Sequence, residues 1–385
     1  MIRYMKRCFL LMMAFALVLP VGGCVDAQDI NKKLIVTTVA VDKVGDEFWF
    51  YVEIANIQAS NSAGSGGGPA PLGSKYYYVK GSGKTFAEGR LDIDRQLDQP
   101  IYISGVRTLL LTERFADDDD DLVSYLYRQR ADETYRKKVL TVTTRSNLDE
   151  MFTAMNKKNF SVGYSIENTI TSLEQQGEAF SRTTSRLLEN LSSRYSGVLI
   201  PCIGMKDEET MLAGYSVVNG NRVTGYIPLE DCAGLNILKA VKARTLFDVP
   251  YQDKLFTVKT ILDARTITPY YQDGEINYLI KLNLKATVEY GNNRTPYNLN
   301  KDALKEMEGS LKQNVLEKLN IAMNQAQNVD KTDYLQMDDA FRIKYPAIFD
   351  TLDWQSAFLT AKVYWDIHVD LSVSPSLNYE TDPVR

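Results

Sequence analysis

The sequence predicts an α+β fold of several domains, with mixed or antiparallel β-sheets flanked by helices. Segments rich in β-branched and aromatic residues occur in both halves of the chain, and helical segments stand between them without strict alternation. The clearest strand lies near the C-terminus, where apolar and polar residues alternate from Lys362 to Val373. Such alternation buries one face of a strand and leaves the other face in water. The irregular order of strands and helices argues against a doubly wound parallel sheet.

An export signal precedes the part of the chain that folds. Arg3, Lys6 and Arg7 give residues 1–23 a basic start. The apolar run that follows, from residue 9 to residue 19, is shorter than the ~20 residues that a membrane-spanning helix requires. A secretion signal is therefore favoured over an uncleaved membrane anchor.

The signal ends in a sequence that resembles a bacterial lipobox. Gly22 and Gly23 stand directly before Cys24, and small residues of this kind admit the backbone to a peptidase site. We predict cleavage between Gly23 and Cys24, a diacylglyceryl group on the thiol and an acyl group on the new N-terminus. Several acyl chains hold a protein at a membrane more firmly than one chain does. Residues 24–33 are then a lipid-anchored tether; an ordinary signal followed by an incidental cysteine is the alternative.

Composition narrows the classes of function. The chain is acidic, with a formal net charge of −5, and loss of three basic residues and no acidic ones with the signal gives −8. Binding to nucleic acid is disfavoured, because the sequence has no stripe of basic residues. The length suits two or three domains with hydrophobic cores. Cys202 and Cys232 follow in the mature chain, and the sequence leaves open whether they form a disulfide or stay as thiols.

Residues 34–146 are predicted to form an N-terminal α/β domain. Its loop at residues 61–74 is rich in glycine, lacks a hydrophobic period and is predicted to be flexible. The predicted strands are residues 34–41, 47–57, 75–80, 106–112 and 139–144, and the predicted helices are residues 85–97 and 122–130.

Residues 147–210 are predicted to be a mostly helical segment that leads into a C-terminal α+β domain at residues 211–375. A hairpin turn is expected at residues 219–221, since Asn and Gly tolerate positive φ. Residues 376–385 are a tail. The predicted strands are residues 198–203, 212–218, 222–227, 255–266, 277–290 and 362–373, and the predicted helices are residues 231–240 and 303–328.

Two motifs resemble sites for chemistry but lack essential parts. Residues 81–86, GSGKTF, end like a phosphate-binding loop, yet Tyr78 stands where the first glycine is required. A turn that leads into a helix is therefore favoured. The acidic run at residues 117–121 lacks the alternating spacing and the glycine of a calcium loop, so a solvated helix start is favoured.

His368 is the single histidine of the chain, and the alternation of the last strand places it on the exposed face. One histidine disfavours histidine-rich zinc sites. A Cys–His nucleophile would require Cys202 or Cys232 to meet His368, and nothing in the sequence supports this. No catalytic residue, metal site or cofactor is predicted, and ligand-binding residues stay unassigned.

A series of short motifs behind the lipobox resembles the Ger(x)C family, the lipoprotein C subunits of spore germinant receptors. Each motif is weak alone, but their order covers nearly the whole mature chain. Val25 replaces the tryptophan usual after the lipidated cysteine, and Ser104-Gly105 lacks the family's histidine. The matching segments and residues are Asp29–Asn31, Leu34–Val36, Val41–Lys43, Gly83, Thr85, Phe86, Val106–Glu113, Arg130–Arg136, Ala213–Val217, Arg222–Tyr226, Ala233–Asn236, Asp333–Leu335, Tyr345-Pro346, Trp354 and Phe358.

The resemblance implies a three-domain arrangement of mixed sheets and helices, without catalytic residues. It implies a lipid anchor on the outer face of the spore inner membrane, membrane-protein partners called the A and B subunits, and a role in nutrient-triggered germination. The small-molecule germinant would be bound by the complex. Two other classes stay open: a solute-binding lipoprotein that delivers a small nutrient to a transporter, and a surface hydrolase.

Overall fold

The computed structural model describes residues 32–56, 74–118, 121–132, 134–136, 138–191, 195–291 and 299–374. These residues form two mixed β-sheets flanked by helices, which confirms the predicted α+β class. The predicted signal, all but two residues of the tether, nearly all of the glycine-rich loop and the tail lie outside the described residues.

The first sheet has nine strands in the order β3-β2-β1-β5-β6-β7-β8-β9, with β4 beside β1. Its centre, β1-β5-β6-β7, is parallel, and β4 also pairs parallel with β1. Strands β2, β3, β8 and β9 pair antiparallel. Every residue of β5 and β6 is buried, as expected of parallel strands covered on both faces. The strands are β1 (Leu34–Val44), β2 (Glu47–Ala55), β3 (Tyr76–Gly83), β4 (Ile101–Tyr102), β5 (Thr108–Thr112), β6 (Leu140–Thr144), β7 (Val198–Lys206), β8 (Glu209–Asn219) and β9 (Arg222–Pro228).

Helices cover both faces of this sheet: α1 (Phe86–Gln96), α2 (Glu113–Ala116), α3 (Asp121–Ala131), α4 (Leu148–Lys157), α5 (Val162–Gln176) and α6 (Thr184–Leu191). Ile93, Leu126 and Leu187, from α1, α3 and α6, belong to the hydrophobic core on one face. Phe152 of α4 and Ile166 of α5 belong to the core on the other face.

The second sheet has four strands in the order β10-β11-β12-β13: β10 (Arg244–Tyr251), β11 (Lys254–Gln272), β12 (Glu275–Gly291) and β13 (Lys362–Val373). Strand β13 pairs parallel with β12 and shows the predicted alternation of burial. Helix α8 carries the predicted apolar stripe, which is buried at Met307, Leu311, Val315 and Leu319. The helices are α7 (Cys232–Lys239), α8 (Lys301–Asn324), α9 (Met337–Lys344), α10 (Pro346–Phe349) and α11 (Trp354–Thr360).

The first sheet extends beyond the segment assigned to it from sequence. The predicted boundary between residues 210 and 211 falls inside β8, because β8 pairs with β7 and β9 pairs with β8. The long helix is α-helical only to Asn324 and continues as a π-helix over Gln325–Val329. Strand β10 and helices α9, α10 and α11 were not predicted from the sequence. Among the described residues, no helix is long and apolar enough to cross a membrane.

Candidate functional site

The prediction of a turn that leads into a helix is confirmed for Lys84 and Thr85, which precede α1, and is wrong for residues 81–83, which end strand β3. Thr85 caps α1: its hydroxyl accepts from the backbone N–H of Glu88, and the Glu88 carboxylate accepts from the backbone N–H of Thr85. This capping box satisfies the free amides at the helix start. The threonine of the motif thus serves the helix terminus.

The acidic run is held by a cation from β1. Lys43 donates to the carboxylates of Asp118 and Asp121, at 2.7 and 2.6 Å, and these hydrogen bonds raise the pKa of Lys43. Asp121 begins α3, as the predicted helix start requires, while residues 119 and 120 lie outside the described residues. In the described part of the chain, no group of three or more His, Cys, Asp or Glu side chains is placed to hold a metal ion.

The two cysteines of the folded part are free, so the open question of a disulfide is settled in favour of thiols. Burial raises the pKa of Cys202 to about 11 and that of Cys232 to about 12, which keeps both protonated at neutral pH. His368 lies exposed on β13, in the other sheet. Gly23 and Cys24, the predicted cleavage and lipidation residues, lie outside the described residues.

The two sheets meet where the end of α5, helix α7 and residues 330–338 come together; we call this region the junction. Gly177 ends α5 with φ of +75°. Its carbonyl accepts from the backbone N–H of Arg244, at the start of β10, and from Nδ2 of Asn236 in α7, both at 2.7 Å. One residue therefore joins a helix of the first sheet to the first strand of the second sheet.

Asp333 is the second centre of the junction. Its carboxylate accepts from the backbone N–H groups of Met337 and Asp338 and from Nε1 of Trp354, at 2.9 to 3.1 Å. Its carbonyl accepts from the N–H of Gly197, the residue before β7. A single buried aspartate thus fixes the starts of α9 and α11 and the lead into a strand of the first sheet.

Two further charged groups of the junction are perturbed by burial. Lys239 of α7 donates to the carbonyl of Tyr334 and to Oε1 of Gln336, and loss of water around its amine lowers its pKa to about 7. Burial, reinforced by the charge of Asp333, raises the pKa of Asp338 to about 7, and Oδ1 of Asp338 has no hydrogen-bond partner among the described residues. The junction therefore contains groups that titrate near neutrality.

The opposite end of α5 is fixed to the first sheet by Glu53, which is fully buried on β2. Its carboxylate accepts from the hydroxyls of Thr37, Thr38 and Ser161, at 2.6 to 2.8 Å. It also accepts from the backbone N–H of Val162 at the start of α5. A bulge in β1 between residues 36 and 38 allows two consecutive threonines to reach one carboxylate. Helix α5 is thereby tied to the sheet at one end and to the junction at the other.

A small pocket lies on the other face of the first sheet, between β1, β2, α1 and α3; we call it the aromatic pocket. Its volume is about 70 Å³. Rings of Phe50, Phe86 and Tyr125 line it, with the Tyr125 ring 5.1 Å from Phe86 and 6.0 Å from Phe50. Burial raises the pKa of Tyr125 well above its usual range. Gln129 lies at the polar side, and the exposed Arg128 lies at the mouth.

Some of these residues were within reach of sequence reasoning and some were not. Trp354 and Asn236 belong to the motifs that carry the family resemblance. Gly177 directly follows a helical segment, where a C-terminal glycine is common, but its contacts across the junction had no local signal. Lys239 and Gln129 had none either, since burial of a polar residue depends on distant segments.

The fold and the junction define a two-sheet α+β protein in which buried polar side chains join elements to one another. Within the described residues, most of these groups bond to backbone or to neighbouring side chains. The arrangement can hold two sheets in a fixed relation and can enclose a small molecule.

Comparison with known proteins assigns the family. Residues 26–205 match the family described as spore germination protein N-terminal domain, and residues 213–375 match the family described as spore germination B3/GerAC like, C-terminal. The chain therefore belongs to the Ger(x)C family of spore germination proteins.

Individual relatives agree with this assignment. The chain is 20% identical over 373 residues to spore germination protein B3 of Bacillus subtilis, covering 94% of this chain and 97% of that protein. It is 35% identical over 98 residues to the putative spore germination protein YfkR of the same organism, a quarter of each chain. The crystal structure of the GerBC protein matches its fold with a TM-score of 0.57 and 15% identity, covering 86% of this chain and 96% of that chain.

Proposed function

We propose that this protein is the lipid-anchored C subunit of a nutrient germinant receptor, required for nutrient-triggered spore germination. The observation that carries the proposal is the tandem match of both family domains, in order, over residues 26–205 and 213–375. The match to spore germination protein B3 over nearly the full length of both chains supports it. The protein works on the outer face of the spore inner membrane, together with the A and B membrane subunits.

Its role in the receptor is assembly and signalling rather than catalysis. The buried polar residues support this role because they join structural elements: Asp333 binds three N–H donors, and Gly177 links α5 to β10. Such contacts couple a displacement of one sheet to a displacement of the other. They activate no nucleophile, and both buried thiols are protonated at neutral pH.

The anchor is the modified Cys24, after cleavage behind Gly23. Each methylene group of a buried acyl chain contributes ~0.8 kcal/mol to membrane binding, and one chain alone binds only marginally. A diacylglyceryl group with a further acyl chain on the amine holds the protein stably. The anchored subunit stays beside its membrane partners, and its effective concentration at them is high.

Deletion of the gene tests the role in germination. In a strain without paralogous receptors, we expect normal sporulation and spores that no longer respond to one nutrient, and the intact gene should restore the response. Capture of the tagged protein from spore membranes should recover polytopic A and B subunits. Unchanged germination on every nutrient, or capture without polytopic partners, would contradict the proposal.

Cys24→Ala tests the anchor separately. We expect this variant to leave the membrane fraction and to lose function, because no acyl chain can be attached. Cys8→Ala is the matched control, since it removes a thiol from the predicted signal without touching the lipidation site. Mass spectrometry of the mature N-terminus should show the lipid on the wild-type protein. A C24A protein that still sediments with membranes and restores germination would refute the anchor.

A further inference from the structure

The aromatic pocket contains a polar group that the protein itself leaves unsatisfied. Gln129 is only 5% exposed, and the approach of its side chain to Tyr125 moderates the rise in the pKa of that tyrosine. Its Nε2 nevertheless has no acceptor at full hydrogen-bond geometry within the described residues. A buried donor without a partner destabilises the folded protein, so such groups are rare unless they meet a ligand or water. The amide of Gln129 lines the pocket and is available to an acceptor there.

Most of the other lining residues are apolar or aromatic. Phe50 and Ile93 line the pocket from β2 and α1, and Ile103 lines it from the turn after β4. The side chains of Ile93 and Ile103 are 1% and 5% exposed. Besides Gln129, the polar residues of the lining are Arg90, Tyr125, Arg128, Asp132 and Tyr135. A ligand that enters must therefore carry an apolar body together with an acceptor.

Two arginines and one aspartate contribute charged side chains to the lining. Arg90 and Arg128 both line the pocket, and Arg90 is paired with Asp94. Arg128 forms no ion pair within the described residues, while Asp132, the acid at the mouth, accepts from the backbone N–H and hydroxyl of Thr134. An arginine left in this position suits a carboxylate, because its guanidinium can donate two parallel hydrogen bonds.

The size of the pocket limits the ligand. A cavity of 150 Å³ holds a benzene molecule, whereas a single water needs only about 10–15 Å³. The volume of about 70 Å³ therefore suits an apolar body of roughly three to four carbon atoms. We propose that the aromatic pocket binds a small carboxylate with a short branched aliphatic body, which accepts from Gln129 and pairs with Arg128.

The proposal that the aromatic pocket binds a carboxylate does not depend on the proposed role in a germinant receptor, so a result that refutes one leaves the other standing. Binding is measured on the purified full-length protein in detergent by ligand-observed NMR, with 3-methylbutanoate as the probe. We expect saturable binding of 3-methylbutanoate and none of acetate, which lacks the body, or of 3-methylbutan-1-amine, which carries the opposite charge. L-Leucine carries the same branched body and carboxylate, so it shows which class of ligand the pocket prefers. Tighter binding of L-leucine than of 3-methylbutanoate identifies the ligand as an amino acid, and weaker binding identifies it as a simple carboxylate.

Variants assign the binding to the pocket. Gln129→Leu keeps the volume and removes the unpaired amide, so we expect at least tenfold weaker binding together with a higher denaturation midpoint. Arg128→Gln should weaken binding about tenfold, whereas Arg130→Gln, an exposed arginine on the same helix, should leave it unchanged. The denaturation midpoint shows that each variant is folded. Absence of saturable binding to the wild-type protein, or equal binding by the Q129L and R128Q variants, would overturn the proposal.

Discussion

Replacement of Gly177 by alanine should separate the two sheets at the junction. The residue has φ of +75°, and a Cβ placed there would overlap the carbonyl oxygen of Lys242. The carbonyl of Gly177 accepts two hydrogen bonds of 2.7 Å, from Arg244 and Asn236, which hold the same segments close. The added methyl group can be accommodated only if the backbone before β10 moves away from the end of α5.

The expected cost follows from these contacts. Alanine in the left-handed conformation costs roughly 1–2 kcal/mol. Movement of the backbone weakens two hydrogen bonds, each worth about 1 kcal/mol, and leaves buried groups partly unsatisfied. The smaller conformational entropy of alanine in the unfolded chain offsets about 0.5 kcal/mol. We therefore expect Gly177→Ala to lower the free energy of unfolding by about 3 kcal/mol.

Urea denaturation measures this loss, and Gly45→Ala is the matched control. Gly45 also has a positive φ, of +62°, but no atom lies within 4 Å of a Cβ built there. Gly45→Ala should therefore lower the free energy of unfolding only by the conformational cost, about 1 kcal/mol. Equal midpoints for the two variants, at equal dependence on urea, would show that the contact with Lys242 does not constrain the junction.

Two further changes test the buried carboxylates. Asp338→Asn should flatten the pH dependence of stability below pH 7: the raised pKa of about 7 means that the folded state holds a proton the unfolded state has lost, so wild-type stability falls from about pH 4 to pH 7, by up to about 4 kcal/mol. Lys239, with a pKa lowered to about 7, raises stability with pH mainly above that value, and other carboxyls with a raised pKa, Asp330 and Asp333, are present in both proteins. The difference between wild type and variant in urea midpoints at pH 5 and pH 7 therefore reports Asp338, and an unchanged slope in the variant would refute the assignment. Glu53→Gln should lower the free energy of unfolding by about 1–3 kcal/mol, because the N–H of Val162 or a hydroxyl loses its acceptor. The control Glu47→Gln, at an exposed position, should change it by less than about 0.5 kcal/mol. Equal effects of the two substitutions would show that Glu53 does not hold the start of α5.

Features set by neighbouring residues were predictable from the sequence. The capping box at Thr85 and Glu88 lies within one turn, and the alternation of β13 shows in twelve consecutive residues. The α+β class followed from such local patterns, because strand and helix periods are read over short windows. The exposed position of His368 followed from the same alternation.

Features set by distant residues were not predictable. Strand β10 contains Pro250 and, among the described strands, pairs only with β11. This is an edge position, where proline is tolerated although it weakens the strand pattern in the sequence. The hairpin of β8 and β9 was recognised, but a hairpin pattern does not state which sheet it joins. The aromatic pocket combines residues from β1 to α3, and its unpaired Gln129 has no signature in the sequence.

The aromatic pocket and the junction are connected through the same two strands. Val39 and Phe50 of β1 and β2 line the pocket, and Glu53, also on β2, holds the start of α5, whose last turn ends at Gly177. Contiguity alone does not establish coupling, so a double-mutant cycle is required. We expect 3-methylbutanoate to stabilise the wild-type protein more than Gly177→Ala, with a coupling of about 0.5–2 kcal/mol that Gln129→Leu abolishes. If the changes in unfolding free energy caused by Gly177→Ala and Gln129→Leu are strictly additive, both with and without 3-methylbutanoate, the pocket and the junction act independently.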